Sequence, residues 1–161
     1  MKIAHVLISV PLQQLTLYVD QKKVNEYAIS TAKKGVGEES DSFCTPRGLH
    51  IIRAKIGANV PLHAVFSKRR LTGEIYSPEL AALYPDRDWI LTRILWLSGL
   101  EIGKNRLGRC DTMRRYIYIH GTSDEANIGQ PLSHGCIRML NRDIIELFDK
   151  IDIGTKVIIN E

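Results

Sequence analysis

Cysteine is scarce in this chain. Among 161 residues there are three, Cys44, Cys110 and Cys136, with no C-x-x-C pair. An odd count excludes a fully paired disulfide framework and leaves at least one free thiol in a monomer. Cys44 and Cys110 read as small, half-buried apolar fillers, and nothing in the sequence supports a disulfide between them. Long apolar runs are missing as well: no stretch reaches the roughly 18 to 20 residues of a membrane span. Aromatic residues make up 7% of the chain, and no stripe interleaves them with basic residues as base-stacking surfaces do. The net charge of +4 is too small a surplus to indicate nucleic acid, although it suits a small anionic substrate. The short basic clusters at 68–70 and 114–115 read as solvated faces. There are no repeats, low-complexity segments or linkers, so residues 1–161 are expected to form one domain.

The opening residues are apolar, but His5 interrupts the run and Pro11 ends it. A secretory leader needs a longer apolar core and a small-residue cleavage site. The segment therefore reads as the first strand, and the expected location is the cytoplasm, or the periplasm if a leader has been removed. Alternation and β-branched content predict further strands at 14–19, 24–31, 49–55, 60–67, 92–98, 114–120 and 156–159. The polar turn 20–23 joins the second and third into a hairpin. Residues 34–46 read as a loop. Residues 68–91 read as irregular, with one helical turn at Pro78–Leu83. Asn141 is placed to cap a helix whose apolar positions Ile144, Ile145, Leu147, Phe148 and Ile151 follow helical spacing. The fold class is mainly β, a curved sheet or sandwich with one good helix near Cys136.

Two short motifs carry the chemistry. His120-Gly121-Thr122 follows the apolar run 116–119, and Ser133-His134-Gly135-Cys136-Ile137-Arg138-Met139 lies just beyond it. Cys136 offers a nucleophile, and Gly135 beside it lets the backbone approach a substrate closely. A helical pattern follows Cys136, so its backbone N–H groups are expected to point outward at a loop-to-helix junction. Zinc is the chemical rival, since His120, His134 and Cys136 are all permitted ligand types. Their spacing fits no closed zinc pattern and no fourth ligand is evident. His5, His50 and His63 are isolated and read as ordinary strand or loop histidines.

These two motifs resemble the signature of the YkuD family, the L,D-transpeptidase catalytic domain. The likeness extends to the opening strand pair with residues 13–18, to the segment 29–35 and to Thr45-Pro46-Arg47-Gly48, and is weakest over 57–90. The resemblance implies a YkuD-like β-sandwich of mixed sheets with one or two short helices near the cysteine. It also implies acyl transfer on peptidoglycan stem peptides or muropeptides. Enzymes of the family attack the carbonyl of the third stem residue, usually meso-diaminopimelate, and expel a terminal D-alanine.

The same residues suggest how that chemistry would run. Cys136 supplies sulfur and a base must take its proton. Two positions apart in an extended segment span about 6.6 Å, too far for His134 to reach Cys136 unless Gly135 folds sharply. His120 arrives on a separate strand and is the favoured base. The resemblance implies that the Gly121 carbonyl orients its ring. The N–H groups of His134, Gly135 and Cys136 would form the oxyanion hole. Arg138, Tyr118 and Ser133 are the candidate substrate-binding residues, with Arg138 the first choice for a donor carboxylate. No cofactor or metal is called for. The expected activity is an L,D-carboxypeptidase trimming recycled tetrapeptides. The alternatives are an exported L,D-transpeptidase that makes 3–3 cross-links or attaches proteins to peptidoglycan, and a catalytically silent peptidoglycan-binding module.

Overall fold

The computed structural model describes residues 2–161; Met1, counted in the expected domain, lies outside the described residues. Ten strands are joined edge to edge, in the order β4-β10-β1-β2-β3-β9-β8-β7-β5-β6. They are β1 (Ala4–Ser9), β2 (Gln14–Val19), β3 (Lys22–Ser30), β4 (Gly48–Ile56), β5 (Ala64–Ser67), β6 (Arg70–Ile75), β7 (Ile90–Gly99), β8 (Tyr118–Gly121), β9 (Ile137–Met139) and β10 (Lys156–Asn160). β4 pairs with both β10 and β7, so the hydrogen bonding runs around the sandwich without a break, and the β5–β6 hairpin hangs off β7. The sheet is mixed: β1–β10 and β8–β9 are parallel and the other pairs antiparallel. Two helices complete the fold, α1 (Pro78–Leu83) and α2 (Asn141–Lys150). Neither is long and apolar enough to cross a membrane.

Period-two alternation puts one face of each strand inside. Val6 and Ile8, Leu15 and Leu17, Leu95 and Leu97, Ile119, Ile137 and Met139, and Val157 and Ile159 meet in one core. Ile144, Leu147 and Phe148 of α2, three to four residues apart, seal it. The Tyr27 hydroxyl donates to Glu146 at 2.7 Å and ties that helix to β3. A second cluster, Phe66, Ile94 and Tyr118, packs against Cys136 on the other side of β8.

Several boundaries depart from the sequence reading, each for a local reason. β8 begins at Tyr118 rather than 114. Asp111 accepts the N–H groups of Leu107 (2.7 Å) and Arg114 (3.0 Å), and Tyr116 turns to φ 56°, which holds residues 111–116 in a turn. Residues 60–63 form turns ahead of β5, with His63 at φ 68°. The stretch 68–91 holds strand β6 besides the expected helical turn at Pro78–Leu83, which is α1, capped by Ser77, whose hydroxyl accepts the Leu80 N–H at 3.1 Å. Lys68 and Arg69 turn the β5–β6 hairpin with φ 48° and 64°, a conformation that ordinary turn residues do not advertise. Cys136 runs directly into strand β9, not a helix, and α2 starts with Asn141 inside its first turn and Leu140 at the cap.

Ile119 is fully buried at the centre of the strand that carries His120. Ile119→Ala is expected to cost about 2–5 kcal/mol, read as a lower urea midpoint with unchanged slope. A loss below about half a kcal/mol would mean β8 is not part of the central core.

Candidate active site

β8 and β9 lie side by side in parallel, with Ile119 opposite Ile137 and His120 opposite Arg138. Alternation sends Ile119 and Ile137 into the core. Tyr118, His120, Cys136 and Arg138 all line one cavity of about 540 Å³ on the opposite face. Lys68, Arg69, Asp88, Arg115 and His134 contribute to its walls.

The His120 ring is buried, with 1% of the residue exposed. Its Nδ1 lies 2.7 Å from the Gly121 carbonyl, which can only accept, so Nδ1 carries the proton and Nε2 is the free base. Burial pulls the imidazole pKa down, against the Gly121 bond and Asp88, which pull it up. A neutral ring is thus the resting form. Gly121 is a glycine of necessity: a Cβ there would lie 2.7 Å from the Leu91 carbonyl and would also strike Asn141.

Asn141 is the clamp behind this strand. It donates to the Thr122 carbonyl (2.7 Å), accepts from the Thr92 hydroxyl (2.6 Å), and its backbone N–H donates to Glu125 (2.8 Å). Thr92 sits in a bulge of β7 at φ 75°, and its hydroxyl also accepts the His63 N–H. Sequence spacing presents Asn141 as a helix cap; its side chain instead fixes the backbone just after His120.

The Cys136 sulfur receives the Tyr118 N–H at 3.3 Å and donates to the Tyr116 carbonyl at 3.5 Å. Burial pushes its pKa up to about 12; Asp88 adds to that, while the Tyr118 N–H, Arg138 and Arg115 oppose it. Both shifts favour the neutral forms, a thiol on Cys136 and an imidazole on His120, in one cavity. Gly135 stands at φ 126°, where a side chain would be strained and would press on Ile117 and the Cys44 carbonyl. The Thr45 hydroxyl donates to the Gly135 carbonyl (2.9 Å) and accepts the Ala32 N–H (2.9 Å), pinning the loop to the motif at 45–48.

The remaining sequence candidates fall into different places. The Ser133 hydroxyl donates to the Cys136 carbonyl (2.6 Å) and accepts the Gly135 N–H (3.2 Å), so it braces the loop. That bond turns the Gly135 N–H away from an oxyanion. The N–H groups of His134 and Cys136 make no hydrogen bond to any described residue. The His134 side chain is 65% exposed at the rim, its Nδ1 3.7 Å from Asp88. Arg138, 13% exposed, spends its guanidinium on the Leu132 carbonyl (3.3 Å) and Asp88 (3.4 Å). Tyr118 is buried and its hydroxyl accepts from Arg69 (2.9 Å). Asp88, Arg69 and Asn141 escaped the sequence reading as site residues: Asp88 and Arg69 lie far along the chain from the motifs, and Asn141, two residues past Met139, reads as a helix cap.

All three cysteines are free. Cys44 and Cys110 rest their sulfurs against backbone carbonyls. His50 is buried and held neutral, its pKa pulled to about 4 chiefly by burial, and bonded to Thr112 and the Gly48 carbonyl. His5 stacks on Tyr18.

The family model described as YkuD, L,D-transpeptidase catalytic domain, matches residues 3–159. The chain belongs to this family of peptidoglycan enzymes. A Bacillus subtilis relative named L,D-transpeptidase YqjB is 28% identical over 157 residues, covering 98% of this chain and 71% of its own. The B. subtilis relative named L,D-transpeptidase YkuD is 49% identical over 47 residues, 29% of each chain. Among solved structures, L,D-transpeptidase 3 from Mycobacterium tuberculosis, in complex with a faropenem-derived adduct, superposes with a TM-score of 0.63 at 15% identity. It matches 99% of this chain, which spans 61% of that one. At that identity the likeness is one of fold.

Two measurements test this geometry. Asn141→Ala takes the acceptor from the buried Thr92 hydroxyl proton and the side-chain donor from the Thr122 carbonyl, at about 1–3 kcal/mol each. A clear drop in melting temperature is expected; no change would mean water replaces the clamp at no cost. The thiolate fraction of Cys136 should rise only at alkaline pH, toward about 12, when followed by ultraviolet absorbance against Cys136→Ala. Because the fold favours the protonated thiol, this group's contribution to stability is present below the ordinary pKa of about 8.5 and declines as pH rises above it. A thiolate already formed at neutral pH would contradict the neutral pair.

Proposed function

We propose that the protein is a cysteine acyl-transfer enzyme acting on the bond between diaminopimelate and D-alanine in peptidoglycan stem tetrapeptides. The observation that carries this reading is the shared cavity of Cys136 and His120, with the Nδ1 proton of His120 fixed on Gly121. As Cys136 Sγ attacks the third-residue carbonyl, its proton passes to His120 Nε2 and a carbon–sulfur bond forms. Because both groups rest neutral, proton transfer accompanies attack rather than preceding it. The oxyanion is received by the N–H groups of His134 and Cys136. Collapse breaks the carbon–nitrogen bond, and His120 returns its proton to the departing D-alanine amine. The acceptor then gives a proton to His120 and attacks the thioester; the carbon–sulfur bond breaks, and the Cys136 sulfur takes that proton back from His120. Solved structures of the same fold hold a faropenem-derived adduct in one case and imipenem in another, which fits an acylable site here.

The acceptor distinguishes two activities. The names of the relatives favour an amine, hence transpeptidation. The rim is open, with His134 and Asp88 65% and 51% exposed, and admits water as well as an amine; with water as acceptor the enzyme is an L,D-carboxypeptidase working on soluble muropeptides, the reading that goes with a cytoplasmic location. Incubation with a disaccharide-tetrapeptide, with and without an amine acceptor, separates them by mass spectrometry. Release of D-alanine without amine marks the carboxypeptidase; a product appearing only with amine marks the transpeptidase. Cys136→Ala is expected to lose all turnover while keeping its melting temperature, whereas Cys44→Ala and Cys110→Ala keep activity. Turnover by Cys136→Ala would overturn the mechanism. No turnover by the parent protein with either acceptor would leave a peptidoglycan-binding module.

A further inference from the structure

Three arginines line the Cys136 cavity, and they are not equivalent. Arg115 gives its guanidinium to the Gly37 carbonyl (3.2 Å), the Cys44 carbonyl (2.6 Å) and the Ser42 hydroxyl (3.3 Å), and so serves as a strut. Arg138 is committed to Asp88 and the Leu132 carbonyl. Arg69 makes a single hydrogen bond, from Nη1 to the Tyr118 hydroxyl, and pairs with no acidic side chain among the described residues. Its guanidinium is nonetheless held in place. It lies over the Tyr116 ring at 4.4 Å and near the Trp96 ring at 5.3 Å, and Trp96 packs edge-on against Tyr118. The tight Lys68-Arg69 turn fixes the backbone behind it. An arginine normally loses rotamer freedom when it grips an anion; here stacking has removed that freedom in advance. The remaining N–H fork is unspent and fits a carboxylate bidentately.

We infer that Arg69 determines specificity by receiving a carboxylate of the acyl donor, the one at the far end of the third residue's side chain. This rests on the proposed function. Reach selects among the donor's carboxylates. The Tyr118 N–H touches the Cys136 sulfur and the Tyr118 hydroxyl touches Arg69, so one tyrosine side chain separates reacting atom from guanidinium. The terminal D-alanine carboxylate lies only a few bonds from the scissile carbonyl and falls short of a full tyrosine's length. The diaminopimelate side chain ends, after a run of methylenes, in a carbon bearing a carboxylate and an ammonium, and it is long enough to bring that carboxylate to Arg69. Arg69 therefore acts in donor binding, and Arg138, the sequence's first choice, holds the rim together with Asp88.

Two synthetic tetrapeptides test this, alike except that the distal carboxylate of the third residue is free in one and a carboxamide in the other. Affinity is measured by titration calorimetry on Cys136→Ala, so recognition is read apart from chemistry. The free acid is expected to bind at least about tenfold more tightly than the amide. Adding Arg69→Ala should erase that preference by weakening the acid alone, and Arg69→Lys should restore only part of it. In the parent background, Arg69→Ala should raise KM for the acid more than KM for the amide. Equal loss for both peptides, or a preference that survives Arg69→Ala, overturns the inference. If the parent protein never releases D-alanine while the Arg69-dependent preference persists, the proposed function fails and the recognition stands.

Discussion

The parallel pairing of β8 with β9 is the constraint on which the site depends. Its register puts Tyr118 and His120 beside Cys136 and Arg138 on one face and buries Ile119, Ile137 and Met139 on the other. A slip of one residue would send the imidazole into the core and the isoleucines into the cavity. Two devices oppose such a slip. The apolar set on β8 and β9 fits the core in one register only. Asn141, reaching from α2 to the Thr122 carbonyl and the Thr92 hydroxyl, locks the end of β8 to β7 and to the helix.

Burial then sets the electrostatics. The imidazole is buried and the thiol half-buried at the cavity wall, and each is driven toward its neutral form. Cations are abundant around them, but Arg115 and Arg138 are spent on carbonyls and Asp88, and Arg69 is drawn off to the aromatic wall. A resting thiolate has little to stabilise it. On the proposed mechanism the charge appears only during attack, when the free N–H groups of His134 and Cys136 face the developing oxyanion. An unprimed thiol also protects a free cysteine from oxidation, which follows thiolate character.

Much of this was legible in the sequence because the motifs are local. His120-Gly121 fixes the ring and its carbonyl partner within two residues, and alternation in 116–119 marks the strand that bears it. Strands β1, β2, β7 and β10 follow from apolar periodicity, since each has one face in the core. The hairpin β5–β6 does not, because its turn, Lys68-Arg69, adopts left-handed conformations without glycine or asparagine, and β6 is largely exposed. Strand β9 was hidden too: three residues long, it cannot be told by periodicity from the helix that follows. The roles of Asn141, Asp88 and Arg69 arise only from tertiary contacts. Local spacing makes Asn141 a cap and Arg69 one charge in a solvated cluster, and only the folded sheet brings either to the site.

The central claim is that Cys136 carries the acyl group. Rapid acid quenching during turnover of a tetrapeptide donor, followed by intact-mass and peptide mapping, tests it directly. The expected result is one covalent adduct per chain, with the mass of the donor less D-alanine, on the peptide containing Cys136 and absent from His120→Ala. D-alanine release without such an adduct, or an adduct on Cys44 or Cys110, would contradict it.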